Sequence, residues 1–178
     1  EFERRIGIDN VFLATAESEM SGVKFAYGDI ARLGVDRCLA MVAAYQYYSE
    51  GVFVVDCGTA ITADFVDGKG QHLGGYILPG FDVLRNSLVS GTSKIRVGDE
   101  QSLSIDPGCS TDYCVRNGAN LMVVSVLERM VSDARQKGLK HYCLAGGSAA
   151  HIEALGLSQF DVKKDLVFEG LEAVCPFF

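Results

Sequence analysis

The segment of residues 51–80, GVFVVDCGTAITADFVDGKGQHLGGYILPG, constrains the fold most because it holds three strand-like runs separated by short turns. The first run, Val52–Val55, ends in Asp56, and the other two are Ile61–Val66 and His72–Leu78. Short runs rich in β-branched and aromatic residues, bounded by Gly and Asp, are typical of strands. The sequence therefore predicts a three-stranded meander with an acid at the end of its first strand.

The turn after this first strand carries side chains suited to phosphate chemistry. Gly58 lets the backbone approach a ligand closely, Thr59 offers a hydroxyl to a phosphate oxygen, and Asp56 can hold a cation. Ordinary turns also use Asp, Gly and Thr, so a plain turn is the alternative. Backbone N–H groups of residues 57–59 could equally satisfy the Asp56 carboxylate.

The composition indicates a packed globular chain, since 48% of its 178 residues are hydrophobic. With 23 acidic and 16 basic residues the net charge is −7, which argues against nucleic-acid or anionic-membrane partners. Six cysteines form no C-x-x-C pair, which favours free thiols in a reducing compartment, and the three histidines lack zinc-site spacing. No apolar run approaches the ~20 residues of a membrane helix, so we expect a cytoplasmic protein.

The remainder of the chain predicts alternating helices and strands. Residues 34–48 carry apolar side chains on two faces, which predicts a helix buried between other elements. The other predicted elements are a strand over 11–15, a helix starting at Pro79-Gly80, a loop over 97–110, a helix over 111–137, a strand over 141–144, a helix opened by 145–149, a strand over 165–168 and a helix over 170–174. This order is typical of an α/β layered unit, and the meander argues against a plain doubly wound nucleotide-binding fold.

Five blocks of the sequence, in order, resemble the type III pantothenate kinases. They are Tyr27 with RLGVDRCLAMVAA (32–44), VVDCGTAITADFVD (54–67), HLGGYILPG (72–80), CLAGGSA (143–149) and DLVFEGLEAVCP (165–176). That family belongs to the superfamily of acetate and sugar kinases, Hsp70 and actin. The resemblance implies an α/β fold of the actin-like, ribonuclease H-like kinase type. Residues 1–48 would be the remnant of an N-terminal lobe carrying the substrate-binding GVDR helix, and residues 49–178 a complete C-terminal actin-like lobe.

The resemblance also implies a pantothenate site. Its residues would be Tyr27, Gly34, Val35, Asp36, Arg37 and Thr111. Asp36 would be the catalytic base that accepts the proton of the substrate hydroxyl, and Thr111 would reach in across a homodimer interface.

Each of these residues has a structural alternative. Asp36 is also a favourable acid in a first helical turn, and Thr111 a suitable residue for starting the long helix. Arg37 could be a solvated surface arginine paired with an acid, and Tyr27 an aromatic residue at the rim that packs on the 34–48 helix.

The implied nucleotide site uses both glycine-bearing turns. Gly58, Thr59, Gly146 and Gly147 would contact ATP, which carries Mg²⁺, and Asp56 would hold a monovalent cation, potassium or ammonium. A plain strand-to-helix turn is the alternative for Gly146 and Gly147.

One departure from the family bears on activity. Type III kinases open with a strand that bears D-x-G-N-[ST], the first phosphate loop, and these residues contain no such segment. The expected function is ATP-dependent phosphorylation of pantothenate to 4′-phosphopantothenate, the first step of coenzyme A biosynthesis, by a homodimer. Because the first phosphate loop is missing from these residues, we expect that the chain is a fragment. The alternative is a kinase-like binding or regulatory module without catalytic activity. A sugar kinase of the same superfamily is a further alternative, although no extended polar constellation for sugar hydroxyls is evident.

Overall fold

The computed structural model describes residues 12–92, 95–98 and 102–175. A two-stranded ribbon comes first, with β1 at Glu19–Met20 and β2 at Val23–Lys24. A 3-10 turn at Ile30–Arg32 leads into α1. The remaining elements are α1 (Val35–Tyr48), β3 (Val52–Cys57), β4 (Ala60–Val66), β5 (His72–Pro79), α2 (Phe81–Gly91), α3 (Thr111–Gln136), β6 (His141–Ala145), α4 (Ala149–Ala154), β7 (Asp161–Val162) and α5 (Leu166–Val174).

The five strands β3 to β7 form one mixed sheet in the order β5-β4-β3-β6-β7. β3, β4 and β5 pair antiparallel, which confirms the predicted meander. β6 lies parallel to β3, and β7 lies parallel to β6. The structure is thus an α/β fold, and the carboxyl ends of β3 and β6 lie side by side at one edge of the sheet.

Helices cover both faces of the sheet. On one face, Phe53 and Phe65 pack with the buried side of α3 and with α4. On the other face, Val52 and Val54 pack against α1. Alternate residues of a strand point to opposite faces, so β3 supplies both cores. Burying one such side chain contributes roughly 1.5–3 kcal/mol.

Helix α1 is enclosed, as its two apolar faces predicted. Every residue from Arg37 to Ala44 is buried, because α1 lies between the sheet and α5. At Gly170 of α5 the two helices are in close contact, since a Cβ there would lie 2.5 Å from the carbonyl carbon of Leu39.

Two predicted strands are wrong. Residues 12–15 form no strand, and position 11 lies outside the described residues. Residues 166–168, predicted as the end of a strand, instead begin α5. The apolar run Leu166–Phe168 favours a strand locally, but Leu166 and Gly170 face α1 with the i, i+4 spacing of a helix. The short closing strand lies earlier, at β7.

The other predicted elements are confirmed with small shifts of their ends. Of the predicted loop over 97–110, residues 97–98 and 102–110 contain neither helix nor strand, and residues 99–101 lie outside the described part. All six cysteines are free thiols. Within the described helices, none combines the length and the apolar character required to cross a bilayer.

Candidate active site

Asp36 lies in the first turn of α1, at the same edge of the sheet as the tip of the meander. Its side chain is exposed, and its Oδ1 accepts the backbone N–H of Arg37 at 2.9 Å. Gly34 is the residue before the helix, and a Cβ there would stand 2.5 Å from Asp36 Oδ1. The residue is therefore a first-turn acid, held in one orientation with its carboxylate open to solvent. Val35 is the first residue of the same helix.

Asp56 extends the row of β3 side chains that face α1, so its half-buried carboxylate points toward the start of that helix. Burial raises the pKa of Asp56, and the negative charge of Asp36 raises it further. The two carboxylates thus share one electrostatic environment. A cation bound between or beside the two carboxylates would offset the repulsion between their negative charges.

The backbone of the turn does not satisfy Asp56. The N–H of Gly58 donates instead to the Ala60 carbonyl at 3.0 Å. Among the described residues, no hydrogen bond to the Asp56 carboxylate is formed. The sequence left two alternatives for this carboxylate, a bound cation or the backbone N–H groups of the turn. In the structure, the turn provides no such hydrogen bond.

The two glycine-bearing turns are joined at the carboxyl ends of β3 and β6. Gly146 has φ of +89°, and a Cβ there would collide with Asp56 Oδ1 and stand 2.6 Å from the Cys57 nitrogen. The Ser148 N–H donates to the Cys57 carbonyl at 2.9 Å. A side chain at position 146 would push these turns apart, so glycine is required here.

Thr59 and Gly58 are exposed at this junction. The Gly80 N–H donates to the Thr59 carbonyl at 3.0 Å, which fixes the tip of the meander against the start of α2. Three predicted ATP-contacting residues, Gly58, Thr59 and Gly146, are thus brought together beside Asp56.

Arg37 is buried, unlike a solvated surface arginine, and only 5% of it is exposed. Its Nε donates to Asp64 Oδ2 at 2.9 Å, its Nη2 to Asp64 Oδ1 at 2.5 Å, and its Nη1 to Tyr27 Oη at 2.8 Å. Burial alone would lower the pKa of Arg37, but the hydrogen bonds and charge of Asp64 outweigh it and raise the pKa. Arg37 and Tyr27 are therefore neighbours, and the charge of Arg37 is already paired within the protein.

Thr111 lies elsewhere on the chain, at the first residue of α3. It is exposed and lines an apolar groove of about 1000 Å³ between α2 and α3. Ser110 caps the helix, since its Oγ accepts the Tyr113 N–H at 3.3 Å. No described contact joins Thr111 to Asp36 or Tyr27 within this chain.

Gly147 borders a smaller cavity of about 290 Å³ between α2, α3 and α4. Polar side chains that line it include Arg116, Asn120 and His151. Asn120 accepts from His151 Nε2 at 3.0 Å and donates to two loop carbonyls, and burial lowers the pKa of His151. Sequence reasoning missed these residues, because single polar positions on helices give no local signal.

Asp64 and His72 were also missed, although a signal existed. Asp64 interrupts the apolar run of β4, and an acid inside a buried strand requires a partner. The sequence indicates that Asp64 needs a partner, but it does not identify Arg37, which lies 27 residues away.

With the geometry described, the comparisons with known proteins decide the family. The family model for type III pantothenate kinase matches residues 1–133. The chain belongs to this family. A type III pantothenate kinase of Marinobacter nauticus is 41% identical over 161 residues, covering 89% of this chain and 65% of that protein. One of Pseudomonas fluorescens (strain Pf0-1) is 39% identical over 180 residues, covering 98% of this chain and 72% of that protein.

A solved structure has a related fold. It is a Campylobacter jejuni protein described as a conserved Baf family transcriptional activator, with a TM-score of 0.58 and 26% identity. The match covers 80% of this chain and 63% of that one. The chain therefore spans about two thirds of the length of the relatives that it matches.

Proposed function

We propose that the protein carrying this chain transfers the γ-phosphoryl group of ATP to pantothenate and forms 4′-phosphopantothenate, the first step of coenzyme A biosynthesis. The observation that carries the proposal is that the start of α1, with Asp36, and the end of β3, with Asp56, are close enough for the two charges to interact, in a chain of the type III pantothenate kinase family. The comparisons do not favour the alternative of a regulatory module without activity.

Asp36 is the proposed base. Its carboxylate is exposed, oriented by the Arg37 N–H and free to accept the proton of the attacking hydroxyl. A positioned base typically contributes 10²–10⁴-fold to the rate. Phosphoryl transfer otherwise requires in-line positioning and charge neutralisation, so a fixed carboxylate at the cleft suits the reaction.

The proposed ATP site combines Gly58, Thr59, Gly146 and Gly147. The exposed meander tip would face the phosphates, and the cavity bordered by Gly147 would receive the nucleoside. Mg²⁺ would accompany the nucleotide.

Asp56 is the proposed ligand of a monovalent cation, potassium or ammonium. Its carboxylate lacks a described hydrogen-bond partner and carries a raised pKa, both of which a bound cation would offset. Among the described residues, no group of three or more His, Cys, Asp or Glu side chains is arranged so that it could hold a metal ion. Backbone carbonyls, water or phosphate would complete such a shell of oxygen ligands.

A homodimer completes the proposed site. The groove that contains Thr111 is bordered by exposed apolar side chains on α2 and α3, among them Leu88, Leu121 and Met122. An exposed apolar patch of this kind marks a protein interface. A second copy seated there would bring Thr111 toward the partner's pantothenate, in a cytoplasmic enzyme. The actin-like lobe and the division into residues 1–48 and 49–178 stay predictions.

The test uses the full-length protein with pantothenate, ATP, Mg²⁺ and potassium. Phosphopantothenate is expected by mass spectrometry, and Asp36→Asn should lower turnover by at least 100-fold with an unchanged circular dichroism spectrum. A folded wild-type protein that forms no phosphopantothenate contradicts the proposal, and retained turnover in Asp36→Asn removes the base assignment.

A further inference from the structure

Beside the proposed base lies a polar group of four side chains, three of them buried, here named the Arg37 cluster. It consists of Tyr27, Arg37, Asp64 and His72, which belong to a loop, α1, β4 and β5. Asp64 is 2% exposed and His72 is 1% exposed. A buried charged group is costly unless each member is paired, so the geometry of this cluster is strongly constrained.

Asp64 is the centre of the cluster. It receives two parallel hydrogen bonds from the guanidinium of Arg37, at 2.9 and 2.5 Å, and a third contact from His72 Nε2 at 3.0 Å. Two parallel bonds between a planar guanidinium and a carboxylate fix the orientation of the arginine as well as its position. Arg37 therefore cannot rotate freely toward a ligand.

The hydrogen bonds of His72 identify its tautomer. The Ala26 N–H donates to His72 Nδ1 at 3.4 Å, so Nδ1 acts as an acceptor. Nε2 then carries the proton and donates it to Asp64 Oδ1. The ring also stacks on Tyr27, with centroids 6.2 Å apart and planes 11° from parallel.

The sheet leaves space for this ion pair through Gly75. A Cβ at this position would collide with Asp64 Oδ1 and stand 2.9 Å from Arg37 Nη2. The glycine in β5 thus allows close packing over the charged pair.

The hydrogen bond from Arg37 determines the direction in which the Tyr27 hydroxyl donates its proton. Because Nη1 of Arg37 donates to Tyr27 Oη at 2.8 Å, the phenol oxygen is the acceptor in that bond. The hydroxyl proton of Tyr27 must point to another acceptor, and no described residue supplies one. Tyr27 is half-buried, so a ligand that binds beside it can reach this proton.

We propose that Asp64 and His72 are positioning residues for substrate binding. They hold the Arg37 guanidinium so that it orients Tyr27 as a hydrogen-bond donor toward a carboxylate or amide oxygen of pantothenate. Arg37 acts through Tyr27, and its own charge is already paired with Asp64. The inference rests on the proposed function.

The experiment compares two His72 variants of the full-length protein. His72→Gln keeps an N–H donor that can reach Asp64, whereas His72→Phe keeps the aromatic ring and removes the donor. For His72→Phe we expect the KM for pantothenate to rise roughly three- to tenfold, the effect of one hydrogen bond, with an unchanged KM for ATP. His72→Gln should stay close to wild type. Calorimetric binding of pantothenate without nucleotide should show the same order.

A double-mutant cycle separates positioning from general damage to the fold. Tyr27→Phe removes the donor that the cluster orients, so adding His72→Phe or Asp64→Asn to it should raise the pantothenate KM no further. Asp64→Asn keeps the side-chain shape but removes the charge that balances buried Arg37, so His72→Leu, which only removes the donor, serves if His72→Phe fails to fold.

Additive effects, or a KM for ATP that rises in parallel, would overturn the inference, as would a His72→Phe enzyme that matches wild type. If the wild-type protein neither binds nor phosphorylates pantothenate, both the proposed function and this inference fail. If wild type is active and the variants are unchanged, only the positioning role fails.

Discussion

At the residue scale, the Asp56 carboxylate lowers the stability of the folded protein, although it is also the proposed ligand of a cation. Its pKa is raised by burial and by Asp36, so ionisation is less favourable in the folded state than in the unfolded chain. A carboxyl with a raised pKa lowers stability at a pH above its ordinary value of 3.8, and this loss disappears as the pH falls below that value. A bound cation would offset the same loss at neutral pH.

Replacement of this acid is therefore expected to stabilise the folded protein. At pH 7 without potassium, Asp56→Asn should melt at a higher temperature than wild type, and the difference should narrow as the pH falls toward 3.8. Potassium should raise the melting temperature of wild type and leave the variant unchanged. Scanning calorimetry measures both effects. Equal activity in sodium, potassium and ammonium would show that Asp56 holds no selective cation.

Local patterns in the sequence indicate residues at turns and helix starts, but they do not reveal partners that are distant in the sequence. The D-x-G-T tip and the first-turn acid are local patterns, and in the structure the charge of Asp36 raises the pKa of Asp56. Arg37 and Asp64, which form a bidentate pair, are 27 residues apart in the sequence, so no local pattern indicates their contact.

At the scale of elements, packing against α1 determines the secondary structure of α5, because the residues of α5 alone do not clearly favour a helix over a strand. Alternation and turns predicted the meander because its strands pair with their chain neighbours. The helix at Leu166–Val174 was predicted partly as a strand, because its apolar run lacks a decisive period over so few residues. Contact with α1 supplies the information that the local sequence lacks.

The close contact between these helices gives a stability prediction. Gly170→Ala places a methyl group against the Leu39 backbone, 2.5 Å from its carbonyl carbon, so α5 must move away from α1. We expect a loss of about 1–3 kcal/mol in the free energy of unfolding, measured by guanidinium titration.

Gly28→Ala is the matched control, because a Cβ there has no neighbour within 4 Å and Gly28 lies outside the apolar groove between α2 and α3. It should leave the free energy of unfolding within about 1 kcal/mol of wild type. Equal effects of the two substitutions would contradict the packing account.

At the scale of the whole molecule, the apolar groove between α2 and α3 predicts association of two copies. Met122 is 57% exposed, so Met122→Glu should leave the folded subunit intact while introducing a charge into the interface. Sedimentation velocity should show a dimer for wild type and a monomer for the variant, with phosphopantothenate formation lost together with the dimer.

Gln136→Glu adds the same charge at the far end of α3 and should preserve the dimer. A wild-type monomer with full activity would show that Thr111 does not act across an interface.

The central claim is that Asp36 and the meander tip face one cleft, where an alcohol meets a nucleotide. A crystal structure of the full-length protein with pantothenate and a non-hydrolysable ATP analogue tests it most directly. We predict the substrate hydroxyl about 2.6–3.2 Å from an Asp36 carboxylate oxygen, with the γ-phosphate facing Thr59. A hydroxyl bound away from Asp36, or a nucleotide bound on another face of the sheet, would contradict the account.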